Sequence, residues 1–211
     1  KTGLVDVDVT KADLGHMMNV AGQFDRIEVT STHILPMEVD GLKLFSLSCY
    51  PEAERATLLE DKSTLDLIEQ MFTTVDWSGV DYLIVDAPPT TQEITQELVK
   101  ILNKPTDGFI IVTTPMRVPV VGGIMTLDML NYYKVRILGC VVNQAYVPCP
   151  KCNELQWFDY LPEQVEQKLN LPILSTIPFV FDGGQIEQHI DLKLILDALN
   201  DNEPKISLRG R

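Results

Sequence analysis

Short apolar runs rich in β-branched residues alternate along this chain with longer segments whose apolar residues recur every three or four positions. The runs fall at 4–7, 42–47, 82–85, 109–112, 137–142 and 173–177, and the longer segments at 64–75, 93–102, 120–132, 162–169 and 185–199. In the first segment Leu65, Leu67, Ile68, Met71 and Phe72 draw the stripe of a helix lying on a sheet, with Ser63 as its expected N-cap. Pro162 suits a first helical turn and is followed by Glu163. Ile186, Ile190, Leu194 and Ile195 line one face of the last segment, which is expected to pack on the sheet. The runs are nearly continuous rather than alternating, as in strands covered on both faces. Strand–helix alternation of this kind predicts an α/β fold with a doubly wound, mostly parallel sheet. We expect one domain over residues 1–199 and a polar, frayed tail over 200–211.

Hydrophobic residues make up 45% of the 211, enough for a sizeable core. Lys and Arg number 17 against 30 Asp and Glu, a net charge of −13. That balance argues against nucleic acid as a partner, because such affinity rests on neutralised phosphates. It disfavours an anionic membrane surface for the same reason. No apolar run approaches the ~18–20 residues that span a bilayer, and KTGLVDVDVT has none of the parts of a signal peptide. The expected address is the cytoplasm. In that setting Cys49, Cys140, Cys149 and Cys152 are thiols or metal ligands rather than disulfides. Cys49 and Cys140 end apolar runs (KLFSLSC, RILGC) and read as buried core thiols.

In doubly wound sheets function collects just beyond the carboxyl ends of the strands. The first run ends VDVD, setting Asp6 and Asp8 two positions apart. If the strand continues through Asp8 they share a face; if it turns there, they converge on the loop. The third run ends IVDAPP, so Asp86 stands between an apolar strand and a proline-stiffened turn. A carboxylate there costs free energy unless paired or metal-linked, and in P-loop nucleotidases it holds Mg²⁺. The plainer alternative is that Asp6, Asp8 and Asp86 cap following helices. The fifth run, RILGCVVNQ, brings out Asn143, whose amide could read a base edge or simply close a turn.

Next comes AYVPCPKCNE, in which Cys149 and Cys152 form a CxxC. That spacing lets two sulfurs reach one ion or cluster from a tight loop. A thioredoxin-like pair usually opens a helix, and the prolines here make a poor match. A complete zinc site needs four ligands, and the chain holds no second CxxC; His16, His33 and His189 lie far off and read as surface residues. The third reading is half a site, completed by the same loop of a second subunit across a two-fold axis. Four thiolates from two chains could hold zinc or an iron–sulfur cluster, and spacing alone does not choose.

Taken in order, these segments resemble the Mrp/ApbC family of iron–sulfur carrier ATPases, relatives of the MinD-type deviant P-loop proteins. The likeness runs over about residues 1–180. Its carriers are KTGLVDVDVT, DWSGVDYLIVDAPPTTQEI, DGFIIVTTP, ILGCVVNQAYVPCPKCNE and LNLPILSTIPF. The resemblance implies that Asp6 and Asp8 stand near Mg²⁺ and the attacking water, with Asp8 the catalytic one. It implies that Asp86 is the Walker-B-type aspartate and that Asn143 faces adenine. Cys149 and Cys152 would bind a 4Fe–4S cluster bridging a homodimer, which hands the cluster to apo-proteins while Mg-ATP governs the dimer.

The chain also departs from that family. It holds no GxxxxGK[ST], so it reads as beginning at the second strand of the fold, without the first strand, P-loop and first helix. Lacking that nest of N–H groups and its Lys, the chain as given is expected to bind ATP poorly and hydrolyse it hardly at all. Thr90–Thr91 stand where the family has Gly–Thr–Gly, which stiffens the turn. Asp8 is followed by Val–Thr–Lys in place of a Gly–Pro switch, and TTPMRVPVVGG lacks an acidic residue. These losses favour cluster carriage over catalysis. The competing readings are a MinD- or partition-type switch ATPase and a non-catalytic, zinc-bridged adaptor.

Overall fold

The computed structural model describes residues 1–9, 11–23, 28–49, 61–89, 93–102, 107–149, 151–179 and 192–200. They fall into two compact units, Lys1–Glu97 and Leu98–Arg211. In the first, β1 (Thr2–Asp6) lies between β5 (Leu42–Phe45) and β6 (Tyr82–Asp86), parallel to both. The strand β4 (Met37–Val39) closes this sheet at β5, antiparallel to it. Asp40 and Gly41 join β4 to β5 with φ of 49° and 82°, the left-handed pair a two-residue hairpin needs. A short ladder, β2 (Glu28–Val29) with β3 (Ile34–Leu35), precedes it. The helix α1 (Leu14–Met17) and a 3₁₀ turn at Leu47–Cys49 cover one face, burying Leu14, Val20, Met37, Leu44 and Cys49 together.

Helix α2 (Asp61–Thr73) buries Ile68 and Met71, as the apolar stripe predicts. It is already helical at Asp61, so Ser63 lies inside it rather than capping it. The expected strand over 42–47 stops at Phe45, where Ser46 leaves the ladder and the 3₁₀ turn begins. Strand β6 departs from the expectation of cover on both faces: Tyr82 is half exposed and Ile84 is 55% exposed.

In the second unit β8 (Ile137–Val142) lies between β7 (Phe109–Thr113) and β11 (Ile173–Thr176), parallel to both. All of β8 is buried. One face packs Ile137, Cys140 and Val142 with residues of α4 (Arg117–Tyr132) and α5 (Pro162–Leu169). The other packs Leu138 and Val141 with Ala198 and Ile195 of α6 (Lys193–Asn200). This is the sandwiching that a parallel sheet requires. Gly139 is needed for it: a Cβ there would lie 2.6 Å from the Pro172 carbonyl oxygen. Arg136 Nη2 donates to the carbonyls of Ala198 (2.7 Å) and Leu199 (3.2 Å), satisfying the end of α6. Pro162 does open α5, with Glu163 in its first turn, and Asn170 ends it at φ 53°. Residues 185–191 of the expected last helix lie outside the described residues, as do Thr90–Thr91 and the tail beyond Asn200, which is itself the last residue of α6. The remaining helix, α3 (Glu93–Ile101), and the hairpin of β9 (Tyr146–Pro148) with β10 (Leu155–Trp157) complete the elements. Among the described residues no helix is long and apolar enough to cross a membrane.

Candidate functional site

The carboxyl ends of β1 and β6 bring two carboxylates side by side, since Asp6 and Asp86 are register partners. Backbone pairing continues one step further, Val7 N donating to the Asp86 carbonyl at 3.0 Å. The strand ends at Asp6, so Asp8 stands in the loop rather than on the same strand face. Asp8 Oδ1 accepts the Lys11 N–H at 3.0 Å, shaping the turn.

Asp6 is 1% exposed. Its Oδ2 accepts the Leu14 N–H (3.2 Å) and the Ser46 hydroxyl (2.9 Å), and its Oδ1 accepts the Asp8 N–H at 3.2 Å. Behind it, Ser46 Oγ and Ser48 Oγ lie 2.7 Å apart, and Ser48 Oγ accepts the Gly15 N–H at 2.8 Å. The carboxylate therefore does what a local N-cap would do for α1, whose own N-cap residue, Asp13, makes no side-chain cap bond. Burial raises the Asp6 pKa, against the lowering effect of these donors. Asp86 is exposed. Its pKa is also raised, by partial burial first and then by the carboxylates of Asp6, Asp8 and Asp13. A carboxylate crowded by like charge is one that gains from a bound cation. Among the described residues, however, no three His, Cys, Asp or Glu side chains converge to hold a metal ion.

In the second unit Asn143 follows β8, its N–H bonded to the Thr113 carbonyl at 2.8 Å. Its Oδ1 accepts the Gln144 N–H at 2.9 Å, and Gln144 stands at φ 53°. The side-chain carbonyl thus closes a turn. Beyond it β9 and β10 pair antiparallel, Tyr146 opposite Trp157 with ring centroids 4.9 Å apart. The loop between them carries the CxxC. It is pinched shut by Cys149 N to the Glu154 carbonyl and Asn153 N to the Cys149 carbonyl, each 2.9 Å, with Asn153 at φ 57°.

The closed loop turns donors toward sulfur. The backbone N–H groups of Lys151 and Cys152, and then the Cys152 thiol, lower the Cys149 pKa. Hydrogen bonds to the charged form favour thiolate, the form that binds metal. Cys149 is half-buried and Cys152 exposed, both unbridged. Cys49 and Cys140 are buried, as expected, and burial pushes the Cys140 thiol up to about 12.

Ser46, Ser48 and Trp157 belong to these sites without standing in any of the motifs that mark the other residues. The first two carried a signal: FSLS sets two small hydroxyl residues two apart at the end of an apolar run, hence on one face.

The family model of the NUBPL iron-transfer P-loop NTPases, of the ParA group, matches residues 1–202. The chain belongs to this family. Among curated relatives, an iron–sulfur cluster carrier protein of Haemophilus influenzae is 26% identical over 202 residues, 95% of this chain and 51% of that one. The iron–sulfur cluster transfer protein NUBPL of Mus musculus is 28% identical over 179 residues, covering 83% and 54%. This NUBPL-family chain thus spans about half the length of the curated relatives it matches. Among solved structures, an Archaeoglobus fulgidus nucleotide-binding protein in complex with ADP superposes with a TM-score of 0.69 at 21% identity, over 97% of this chain and 76% of that one. The Mg-ADP complex of the septum site-determining protein MinD from Pyrococcus horikoshii gives 0.51 at 16%, over 84% and 68%. These likenesses establish the fold: α/β with a mostly parallel sheet, similar to MinD-type P-loop NTPase structures.

Proposed function

We propose that this protein carries an iron–sulfur cluster on Cys149 and Cys152 and passes it to apo-proteins. The observation that carries the reading is the CxxC loop itself. Two thiols share one closed turn, backbone N–H groups lower the pKa of one of them, and the other faces solvent. A protein that only stored a metal would gain by burying it; a carrier needs a cargo that a client can reach. Two thiolates are half of what a 4Fe–4S cluster takes, so two copies of the chain bridge one cluster. Transfer is then ligand exchange with no change in oxidation state. Each iron–sulfur bond to a client thiolate replaces one to Cys149 or Cys152, and the proton leaving the client thiol ends on the freed sulfur. Exposed Cys152 is the first to let go.

Nucleotide is the second part of the proposal. Asp86, exposed and crowded by like charge, is the candidate for holding the Mg²⁺ of Mg-ATP, and Asp8 for orienting an attacking water. Asn143 is the candidate adenine reader through its amide nitrogen, and Asp6 contributes by holding the loop that bears Asp8. The family's name and the ADP complexes of its structural neighbours support this. The cytoplasm, with its reducing thiol pool, suits both parts.

The test is iron, sulfide and absorbance analysis after anaerobic reconstitution, beside a Cys149→Ser/Cys152→Ser variant. About four irons and four sulfides per dimer, with a broad visible band lost in the variant, are expected. Stoichiometric zinc unaffected by iron and sulfide, or no metal with two free thiols, overturns the carrier reading. Zinc at half an equivalent per chain would make the protein a zinc-bridged adaptor.

A further inference from the structure

Cys149 and Cys152 are the accessible thiols of the chain, while Cys49 and Cys140 are buried. The loop that bears the accessible pair is fixed at both ends. Pro148 and Leu155 are register partners where β9 and β10 close, and Tyr146 packs on Trp157 beyond them. Inside these anchors the Asn153 N–H bonds to the Cys149 carbonyl at 2.9 Å. Asn153, at φ 57°, turns the chain back so that Cys149 N reaches the Glu154 carbonyl. A bond from residue i+4 to residue i closes one turn of an α-helix, and in such a turn positions i and i+3 are neighbours on one face. Cys149 and Cys152 hold those two positions. Helical radius and rise put the Cα atoms of such a pair about 5 Å apart, inside the ~4.4–6.8 Å that disulfides span. The Cys152 thiol already bonds to the Cys149 sulfur. Rotation about the side-chain bonds therefore joins them without remaking the hairpin. Among the described residues no third His, Cys, Asp or Glu joins the pair to hold a metal, so without cargo each sulfur has the other as its partner.

We propose that this pair is a reversible redox switch: in the cargo-free protein Cys149 and Cys152 close into a disulfide that bars cluster loading, and a thiol reductant reopens them. The switch rests on the carrier reading for what it controls. The oxidant is a small-molecule disulfide of the glutathione class, and the exchange runs in two displacements. Exposed Cys152 Sγ attacks one sulfur of that disulfide, whose S–S bond breaks. One glutathione leaves and takes up the proton that Cys152 gives up. Cys149 Sγ then attacks Cys152 Sγ in the mixed disulfide, and the second glutathione leaves with the proton from Cys149. Two protein thiols are oxidised to one disulfide, and one glutathione disulfide is reduced to two thiols. In a reducing compartment such a bond is transient and redox-sensing rather than structural. A disulfide offers iron no thiolate, and an iron-bound thiolate is not free to attack a disulfide, so the two states exclude each other. Closing also protects the loop, because exposed thiols left open go on to sulfinic and sulfonic acids that are essentially irreversible.

The experiment incubates the cargo-free protein anaerobically with glutathione and glutathione disulfide in graded ratios. One portion is alkylated with iodoacetamide under denaturing conditions and mapped by peptide mass spectrometry; the other is freed of glutathione and offered ferrous iron and sulfide. As the ratio becomes oxidising, the peptide bearing Cys149 and Cys152 should escape alkylation and lighten by two hydrogens, while Cys49 and Cys140 stay reduced. Uptake of iron and sulfide should fall at least tenfold in step and return after dithiothreitol. Protein loaded beforehand should resist oxidation. In Cys149→Ser and Cys152→Ser the lone remaining sulfur should instead keep a mixed disulfide with glutathione. Both thiols alkylated at the most oxidising ratio, or a wild-type peptide that carries glutathione without an internal bond, overturns the switch whether or not the reduced protein takes up cluster. A closed pair that loads as well as the open one overturns the switch and moves the cargo off these sulfurs. A pair that closes and reopens in a protein that takes up no cluster when reduced upholds the disulfide and refutes the carrier reading.

Discussion

Replacing Asp6 with Ala tests whether this carboxylate is a structural hub. The relay runs one way: Gly15 N–H to Ser48 Oγ, Ser48 hydroxyl to Ser46 Oγ, Ser46 hydroxyl to Asp6 Oδ2. Ser48 Oγ accepts one hydrogen bond and donates one, while Ser46 Oγ accepts from both the hydroxyl and the N–H of Ser48 (3.3 Å for the latter) and donates its single proton to Asp6, so removing the final acceptor strands one hydroxyl proton in the interior. The Leu14 N–H, also buried, loses its acceptor as well. A buried donor left unsatisfied costs about 1–3 kcal/mol, and two of them about 2–6. Relief from burying the charge offsets part of this, leaving a loss of about 2–4 kcal/mol. At about 2–4 °C per kcal/mol for a chain of this size, the midpoint of thermal unfolding should fall by about 4–16 °C. Circular dichroism melts measure it, and amide exchange should show Leu14 and Gly15 losing protection first. Asp8→Ala removes an exposed turn bond to Lys11 and strands neither the Leu14 N–H nor the Ser46 hydroxyl, so it should cost less than Asp6→Ala, about 1 kcal/mol or less. An Asp6→Ala protein melting within a degree or two of wild type, with Leu14 and Gly15 still protected, would falsify the hub.

The pH dependence follows from the direction of the Asp6 shift. Its folded pKa lies above the ordinary value of 3.8, so between the two the native state holds the extra proton. Its contribution to stability is then full at lower pH and is lost as pH rises through the folded value. The wild-type minus Asp6→Asn difference, measured by urea unfolding across the acid range, should therefore decline with pH; a rise would reverse the assignment. Gly139→Ala should destabilise by about 1–3 kcal/mol, because its Cβ would meet the Pro172 carbonyl oxygen at 2.6 Å and Leu174 Cγ at 2.7 Å; an unchanged melt would show that β8 and β11 can part. Under native conditions iodoacetamide should modify Cys149 and Cys152 and spare Cys49 and Cys140 until unfolding, as read by peptide mass spectrometry. Labelling of Cys140 at the rate of Cys149 would contradict its burial.

The parallel framework was legible because each central strand is a continuous apolar run and each covering helix keeps its period. Both signals come from burial on the sheet, the dominant favourable contribution to folding. What escaped was local geometry set by one or two residues. The hairpin of β4 and β5 turns on Asp40–Gly41, an Asp–Gly pair between short strands and the strongest short-range hairpin signal there is. The apolar pattern does not show it, because Met37–Val39 is too short to stand out as a run. The same holds for β9 and β10, three residues each, whose pairing is what closes the CxxC loop. Ser63 misled for the opposite reason. A cap residue reports a helix start only where the chain before it leaves the helix, and here the helix is already formed at Asp61.

For the candidate site, residue identity was legible and environment was not. Asp6 and Asp8 look interchangeable in VDVD. Yet one is sealed under α1 and the other shapes an exposed turn, because β1 stops at Asp6. The four cysteines make the point more sharply. Cys140 sits in a fully buried strand where nothing favours charge, and burial alone pushes its thiol up to about 12. Nine residues on, Cys149 stands in a turn closed by backbone hydrogen bonds to Glu154 and Asn153, where the N–H groups of Lys151 and Cys152 bond to its sulfur and favour the thiolate. The spacing of the CxxC sets that turn, and the turn sets the chemistry. A Lys or Asn at Cys152 would keep the loop's N–H donors but not the second sulfur. The loop's fitness for a shared cluster therefore depends on both cysteines, while the lowered pKa of Cys149 depends mainly on the backbone between them.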